Sequence, residues 1–138
     1  MNDSKAQEQF ENTIARKWFE RLRWDDGVSC PTCHNLHGIY ARNCLEGYHR
    51  CQECNRDFTV RHHSVMKSSH VPYYKWVQAI EWIRDGGSMK SELAEKIGVT
   101  KTTASRLIKR IEDGKVSTDQ NNAFFREAVR LINEGEGI

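Results

Sequence analysis

No hydrophobic run in this sequence is long enough to cross a bilayer, and hydrophobic residues make up only 38% of its 138 residues. The N-terminus lacks the apolar core of a secretory signal peptide, which disfavours an oxidising compartment and a disulfide-linked protein. Internal repeats and low-complexity tracts are also missing. These absences predict a soluble, cytoplasmic protein without a membrane partner.

An excess of charge of either sign is missing as well. The net charge is +2, from 21 basic and 19 acidic residues. The total therefore neither predicts nor excludes a nucleic-acid partner, and the distribution of charge has to be considered instead. A chain of this length forms one domain or two small modules.

Four of the five cysteines form two C-x-x-C pairs, Cys30–Cys33 and Cys51–Cys54, with seventeen residues between the pairs. Two residues between cysteines allow a tight turn that aims both sulfurs at one metal, and this spacing is typical of a structural zinc site. We therefore predict one structural Zn²⁺, bound by Cys30, Cys33, Cys51 and Cys54. A redox function is disfavoured because two pairs are present at this spacing.

The remaining cysteine and the histidines are weaker candidates for zinc ligands. Cys44 is interpreted as a small, partly buried residue of the zinc-binding segment. His34 or His37 could replace a cysteine, but four thiolates already complete a tetrahedron. The histidines are therefore expected on the surface or against phosphate. A segment of about forty residues buries too little apolar surface to fold alone, so the metal must supply much of its stability.

The chain divides into four predicted segments: an N-terminal amphipathic helix in 1–27, a zinc ribbon in 28–67, a helix-turn-helix module in 68–115, and a linker with a C-terminal helix in 116–138. The first helix is predicted from about Ser4, with Ser4 as N-cap and Gln7 in a capping box, to Arg23. Its apolar residues recur every four positions and predict a packed face. They are Phe10, Ile14, Trp18 and Leu22.

The C-terminal helix also carries an apolar stripe, and Asp119 is a candidate cap for it. Such a stripe either packs against the preceding helices or pairs with a second copy of the protein in a homodimer. The stripe consists of Phe124, Phe125, Ala128, Val129 and Ile132.

The ribbon is expected to contain three short strands, at 38–42, 47–50 and 58–61. Basic residues outnumber acidic ones in this segment, and tyrosines and histidines lie between them. Two interpretations stay open: these cations contact a phosphate backbone, or they form a solvated, mildly basic surface. The candidate phosphate contacts are Arg42, Arg50, Arg56 and Lys67.

A helix-turn-helix pattern follows the ribbon. Pro72 is well placed at the start of one helix, which Gly86-Gly87 ends. A short helix at 91–97, a turn at Gly98 and a helix capped by Thr100 and reaching Ile111 complete the pattern. The apolar positions that hold the unit together are Leu93, Ile97, Val99, Ala104 and Leu107.

The last of these helices presents hydroxyls and cations with no acid before Glu112. A recognition helix contacts base edges with its N-terminal residues and phosphates with its cations, so DNA binding is the favoured function. A polar solvent face and a protein-binding module are the alternatives. The candidate DNA contacts are Lys101, Thr102, Thr103, Ser105, Arg106, Lys109 and Arg110.

Three runs resemble bacterial insertion-sequence transposases that begin with a zinc ribbon: Phe19 to Cys33, Tyr48 to Val60 with Lys75-Trp76, and Glu92 to Ala104. The resemblance covers roughly residues 18–112. It implies that the ribbon and the helix-turn-helix recognise DNA, at transposon ends in that family, and that a separate RNase H-like domain performs strand transfer. It also implies the four cysteines as zinc ligands and the helix from Lys101 as the DNA reader.

The sequence departs from the family in three respects. Family members commonly have glycine where this chain has His34, and often a Thr-Gly-Thr-like stretch where it has Arg61-His-His-Ser. An RNase H-like domain needs on the order of a hundred residues with three carboxylates holding two metal ions, whereas 26 residues follow Glu112. We therefore expect no catalytic residue and no enzyme activity. The acids in that stretch are Asp113, Asp119, Glu127, Glu134 and Glu136.

The predicted fold class is a small modular α+β protein, in which a rubredoxin-like or zinc-ribbon β module precedes a helix-turn-helix module. The predicted function is zinc-dependent, sequence-specific binding of double-stranded DNA, as a transcriptional regulator of a bacterium, phage or mobile element. An adaptor or inhibitor that binds RNA polymerase or another nucleic-acid machine is the alternative.

Overall fold

A computed structural model describes residues 2–138, with side chains from Ser4 onward. These residues form five α-helices and one three-stranded sheet, which confirms the predicted α+β class with the strands preceding most of the helices. The elements are α1 (Asn2–Arg23), β1 (Ile39–Ala41), β2 (His49–Cys51), β3 (Arg56–Phe58), α2 (Tyr73–Arg84), α3 (Lys90–Ile97), α4 (Lys101–Val116), a 3-10 turn (Gln120–Asn122) and α5 (Ala123–Asn133).

Helix α1 differs from its prediction at two places. Ser4 lies inside the helix, which already includes Asn2, so the predicted N-cap is wrong. Phe10 is 62% exposed, whereas Trp18 and Phe19 are buried. The packed face therefore occupies only the C-terminal half of α1, because the helices that cover it do not extend along the first turns.

The sheet is an antiparallel meander in the order β1-β2-β3. Cys51 at the end of β2 pairs with Ile39 on one side and Arg56 on the other. The third strand was predicted at 58–61 and lies at Arg56–Phe58 instead. Asn55 adopts a left-handed conformation directly after the second cysteine pair, so the chain turns early and pairs with β2 two residues sooner.

The helical body is built around aromatic side chains from three helices. Phe19 of α1 contacts Tyr73 of α2 and Phe124 of α5, with ring centroids 6.2 and 6.3 Å apart. Trp76 of α2 packs edge-on against Phe125 of α5 at 5.9 Å. These rings make α1 and α5, which lie at opposite ends of the sequence, part of one core.

The apolar stripe of α5 is buried within the chain. All five predicted positions of the stripe are less than 7% exposed. Of the two interpretations offered by the sequence, packing against the other helices is therefore the observed one. A homodimer through this face has no apolar surface left to use.

Helices α3 and α4 are joined by a short connection with the predicted turn chemistry. Gly98 has φ 69°, and the Val99 N–H donates to the Ala94 carbonyl at 3.0 Å. The Thr100 hydroxyl oxygen accepts from the Thr103 N–H at 3.1 Å, which confirms the predicted cap of α4. Buried Leu93, Ala94, Ile97, Ala104 and Leu107 hold the two helices together.

Helix α4 runs five residues past its predicted end at Ile111. Its last turns include Gly114, whose backbone is covered by α5. A Cβ at this position would lie 2.6 Å from Cδ1 of Phe125 and 3.1 Å from Cγ2 of Val65. Glycine weakens a helix, but here it allows the close approach that continues the packing of α4 on α5.

The segment between the sheet and α2 is held by side chains from the helices. Arg23 of α1 donates to the Val60 and His62 carbonyls at 2.6 and 2.7 Å. Asn122 accepts from the Val65 N–H at 2.8 Å, and Arg110 donates to the Val65 and Lys67 carbonyls at 3.3 and 2.7 Å. These bonds satisfy backbone groups of an irregular segment and attach the ribbon to the helical body.

Within residues 2–138, no helix combines the length and the apolar character that crossing a membrane requires.

We predict that Gly114→Ala destabilises the protein by about 1–3 kcal/mol, because the added methyl group collides with the Phe125 ring. Helix propensity alone predicts the opposite, a gain of about 1 kcal/mol. The free energy of unfolding from urea denaturation distinguishes the two.

Asp113→Ala, at an exposed neighbouring position of α4, is the matched control and should change stability by less than about 0.5 kcal/mol. A Gly114→Ala variant as stable as the unchanged protein would contradict the close packing of α5 on α4.

Candidate metal centre and nucleic-acid interface

The sheet and its preceding loop bring four sulfurs together. Cys30 and Cys33 lie in the loop before β1, Cys51 ends β2, and Cys54 lies in the turn between β2 and β3. The Sγ atoms of Cys30 and Cys54, and those of Cys33 and Cys51, are 3.6 Å apart, and all four lie within 4.8 Å of one another. A tetrahedron with Zn–S bonds of about 2.3 Å has edges of about 3.8 Å. The four sulfurs therefore fit one structural Zn²⁺ ion.

Each cysteine pair is followed by a residue in the left-handed conformation. His34 has φ 63° and Asn55 has φ 57°. The His34 N–H donates to the Cys30 carbonyl at 2.8 Å, and the Cys30 N–H donates to the Asn35 carbonyl at 3.0 Å. This conformation favours glycine, which explains the residue that the resembled family commonly has at the position of His34. The tight turn of this C-x-x-C pair nevertheless forms with histidine at this position.

Hydrogen bonds and burial shift the pKa values of the thiols in opposite directions. Hydrogen bonding, chiefly from the Cys54 backbone, lowers the pKa of Cys51 to about 7. Burial raises the pKa of Cys54 to about 12. A divalent cation favours the thiolate form of all four ligands. Its binding therefore offsets the unfavourable free energy of placing four sulfurs close together.

No histidine or carboxylate among the described residues joins this cluster. The four cysteines form the one group of metal-binding side chains that lies close enough together in residues 4–138. Cys44 is exposed, not partly buried as predicted, and lies outside the cluster. The metal centre thus uses the ligands that the spacing indicated.

An aromatic cluster supports the metal-binding sheet on its inner side. Trp24, which follows α1, contacts Phe58 of β3 and His49 of β2, with ring centroids 5.8 and 5.5 Å apart. His49 stacks on Phe58 at 5.6 Å. Burial lowers the pKa of His49, which favours the neutral ring that packs against Trp24 and Phe58.

The candidate DNA contacts on α4 fall into two groups. Most are exposed on the side of the helix opposite the buried Ala104 and Leu107: Lys101, Thr102, Ser105, Arg106 and Lys109. Thr103 is half-buried and bonded to Thr100, and Arg110 is bonded to the segment that follows the ribbon. Thr103 and Arg110 therefore position α4, while the five exposed side chains are free to contact a ligand.

The candidate phosphate contacts on the ribbon are also divided. Arg42 and Arg50 both donate to the same oxygen of Asp57 at 3.2 Å. Arg56 and Lys67 are exposed. The shared carboxylate neutralises part of the basic charge of the sheet, so of these four candidates Arg56 and Lys67 are the ones outside the described salt bridges.

A groove of about 1100 Å³ lies between α1, the ribbon and the segment 59–70. Sequence reasoning missed it, because its lining comes from three separate segments of the chain. The one available signal was the run Arg61-His-His-Ser, which stood out only as a departure from the resembled family.

Comparison with known protein families agrees with the geometry of the metal centre. Residues 12–57 match the family described as the transposase zinc-ribbon domain. This part of the chain, which includes the C-terminal half of α1 and all four cysteines, is therefore similar to the zinc ribbon of transposases. Searches of curated proteins and of solved structures found no match.

We predict that Cys51→Ser abolishes stoichiometric zinc binding and unfolds the ribbon, because structural zinc contributes on the order of 10 kcal/mol in small zinc-binding peptides. Zinc content by mass spectrometry and the thermal melt by circular dichroism measure the two effects.

Cys44→Ser is the matched control, since Cys44 is exposed and lies outside the cluster; it should retain one zinc per chain. One zinc per chain and an unchanged melt in Cys51→Ser would refute the ligand assignment.

Proposed function

We propose that the chain is a zinc-dependent protein that binds double-stranded DNA in a sequence-specific manner through helix α4. We further propose that it acts as a transcriptional regulator of a bacterium, phage or mobile element. The observation that carries the proposal is the exposed face of α4, which offers cations and hydroxyls on a helix held rigidly by α3. The similarity to the zinc ribbon of transposases supports a nucleic-acid partner.

Helix α4 has the surface that a recognition helix requires. Ser105, Arg106 and Lys109 lie on its exposed side. Among the described salt bridges none involves Arg106 or Lys109, and the first acid of the helix, Glu112, is paired with Lys115. Unneutralised cations on one side of a helix suit the DNA major groove, which is about 12 Å wide and admits an α-helix.

Each exposed side chain has a role that its chemistry suggests. Arg106 is long enough, and its guanidinium planar enough, for bidentate hydrogen bonds to guanine. Lys109 carries a point charge that suits a phosphate, and Ser105 can donate to either a base or a phosphate. Arg106 is therefore our candidate for reading sequence, and Lys109 for affinity without sequence preference.

The metal centre supports α4 indirectly. Zinc holds the sheet, and the segment after the sheet is bonded to α4 by Arg110. Arg110 therefore belongs to the positioning of α4 in this proposal and not to its DNA contacts. The same connection makes zinc a requirement for DNA binding even though the metal lies outside the DNA-contacting helix.

We also propose that the chain does not catalyse a reaction. Two-metal nucleic-acid chemistry requires clustered carboxylates. Glu127 and Glu134 of the C-terminal part are both paired with Arg130. No group of acids among residues 4–138 is placed to hold a metal.

One observation favours the alternative function, an adaptor or inhibitor that binds a protein of the transcription machinery. The ribbon exposes large hydrophobic side chains, of which Leu36 is 62% and Tyr40 is 45% exposed. Aromatic residues such as Tyr40 are enriched in protein interfaces. This alternative predicts capture of a protein partner without DNA and little salt dependence of any DNA affinity.

Selection of the zinc-loaded protein on a randomised duplex library, at physiological salt, tests the proposal. We expect an enriched motif, and Arg106→Ala should weaken binding to it by about 1–3 kcal/mol while affecting random DNA less. Fluorescence anisotropy with both duplexes measures the difference.

Arg130→Ala removes the same charge from α5 and is the matched control, expected to leave specific binding unchanged. Equal losses for Arg106→Ala on the enriched and the random duplex would reduce Arg106 to a phosphate contact. Absence of any enriched motif would favour the protein-binding alternative.

A further inference from the structure

The groove between α1, the ribbon and the segment 59–70 has the composition of a site for a phosphate-containing strand. The groove is lined by α1, by residues 46 and 48 of the ribbon and by the segment 59–70 with Tyr73. Its charged and aromatic lining residues are Phe10, Arg16, Glu46, Tyr48, Arg61, His62, His63, Lys67, His70 and Tyr73.

The groove carries net positive charge. Its one acid, Glu46, is bonded at 2.8 Å to Arg16, which also binds Glu20. Lys67 is exposed, and neither Lys67 nor Arg61 takes part in any described salt bridge. Cations that the protein does not neutralise favour an anionic occupant.

Arg61 supplies charge from beneath the groove. Its guanidinium lies 4.0 Å from the Tyr73 ring centre and donates to the Val71 carbonyl at 2.7 Å. Its Nη1 atom is buried and has no hydrogen-bond partner in the structure. Because this cation is partly removed from water, an anion in the groove gains more from it than from a solvated lysine.

Aromatic side chains line the same groove. Phe10 of α1 is 62% exposed and Tyr48 of the ribbon is 40% exposed. A positively charged groove with exposed aromatic rings is the arrangement by which proteins bind unpaired nucleic-acid strands, since bases stack on the rings while phosphates follow the cations. The same arrangement accounts for the exposure of an apolar residue on α1.

The groove lies next to the proposed DNA-binding helix. Lys67, which lines the groove, accepts a hydrogen bond at its carbonyl from Arg110 of α4 at 2.7 Å. Arg110 lies one helical turn from Arg106. The contact between Arg110 and Lys67 therefore places one end of the groove beside α4.

We propose that this groove binds an unpaired strand of the DNA that helix α4 contacts, through its phosphates and through stacking of bases on Phe10 and Tyr48. The position of the strand relative to the duplex rests on the proposed function. The binding of a single strand by the groove does not.

Fluorescence anisotropy of the full zinc-loaded chain with a labelled oligothymidine of about 12 nucleotides tests the groove directly. We expect measurable binding, weakened about 5- to 100-fold by Phe10→Ala or Tyr48→Ala, since each removes one stacking platform. Lys67→Ala should weaken binding and reduce its salt dependence. All three side chains are exposed, so zinc content and melting should be unchanged in these variants.

Arg130→Ala removes a cation from α5, which does not line the groove, and is the matched control that should leave oligothymidine binding unchanged. No binding of oligothymidine, or equal binding by the protein and its Phe10 and Tyr48 variants, would overturn the proposal. Loss in Lys67→Ala alone would also overturn it, because it would indicate simple charge attraction without stacking.

A second comparison uses the enriched duplex with and without a single-stranded tail. The tail should tighten binding by the unchanged protein about tenfold or more, because the second contact becomes intramolecular. The gain should be smaller for Phe10→Ala, which lacks one of the stacking platforms. Oligothymidine binding without any duplex binding would contradict the proposed function but support strand binding by the groove. Duplex binding that a tail does not affect would support the proposed function and contradict strand binding by the groove.

Discussion

The ribbon depends on coordination of Zn²⁺ by four thiolates. Its three strands have only three residues each, and so short a sheet cannot close a hydrophobic core of its own. The ligands come from the loop before β1, the end of β2 and the following turn, so one ion ties all parts of the sheet together. Cys30 and Cys51 are buried and belong to the same core cluster as Trp24 and Phe58, which joins the metal site to the protein core.

Polar side chains connect the zinc-binding ribbon to the helices. Arg23, Arg110 and Asn122 come from three distant parts of the chain and all bind backbone groups of the segment 59–70. Burial lowers the pKa of Arg23 to about 10, yet it remains charged at neutral pH. In the proposed function this network fixes the position of α4 relative to the ribbon. In the proposed groove the same segment supplies the floor.

Sequence reasoning succeeded for features that depend on neighbouring residues and failed for features that depend on distant parts of the chain. Gly98 and Thr100 were predicted correctly because a left-handed turn and an N-cap depend on neighbouring residues. Phe10 was misplaced because periodicity identifies an apolar face without indicating how far along the helix a partner extends. The third strand began too late in the prediction, because the prediction did not use the tendency of asparagine to adopt the left-handed conformation, which Asn55 does.

The sequence by itself determined the zinc ligands, the α+β class and the turn between α3 and α4, because each depends on residue types at short, regular spacing. Only the tertiary structure decided that α5 packs inside the chain, that Arg110 positions α4 and that Arg42 and Arg50 share Asp57. It also decided that α1, the ribbon and the segment 59–70 enclose a basic groove. These features depend on contacts between residues far apart in the chain, which local patterns do not encode.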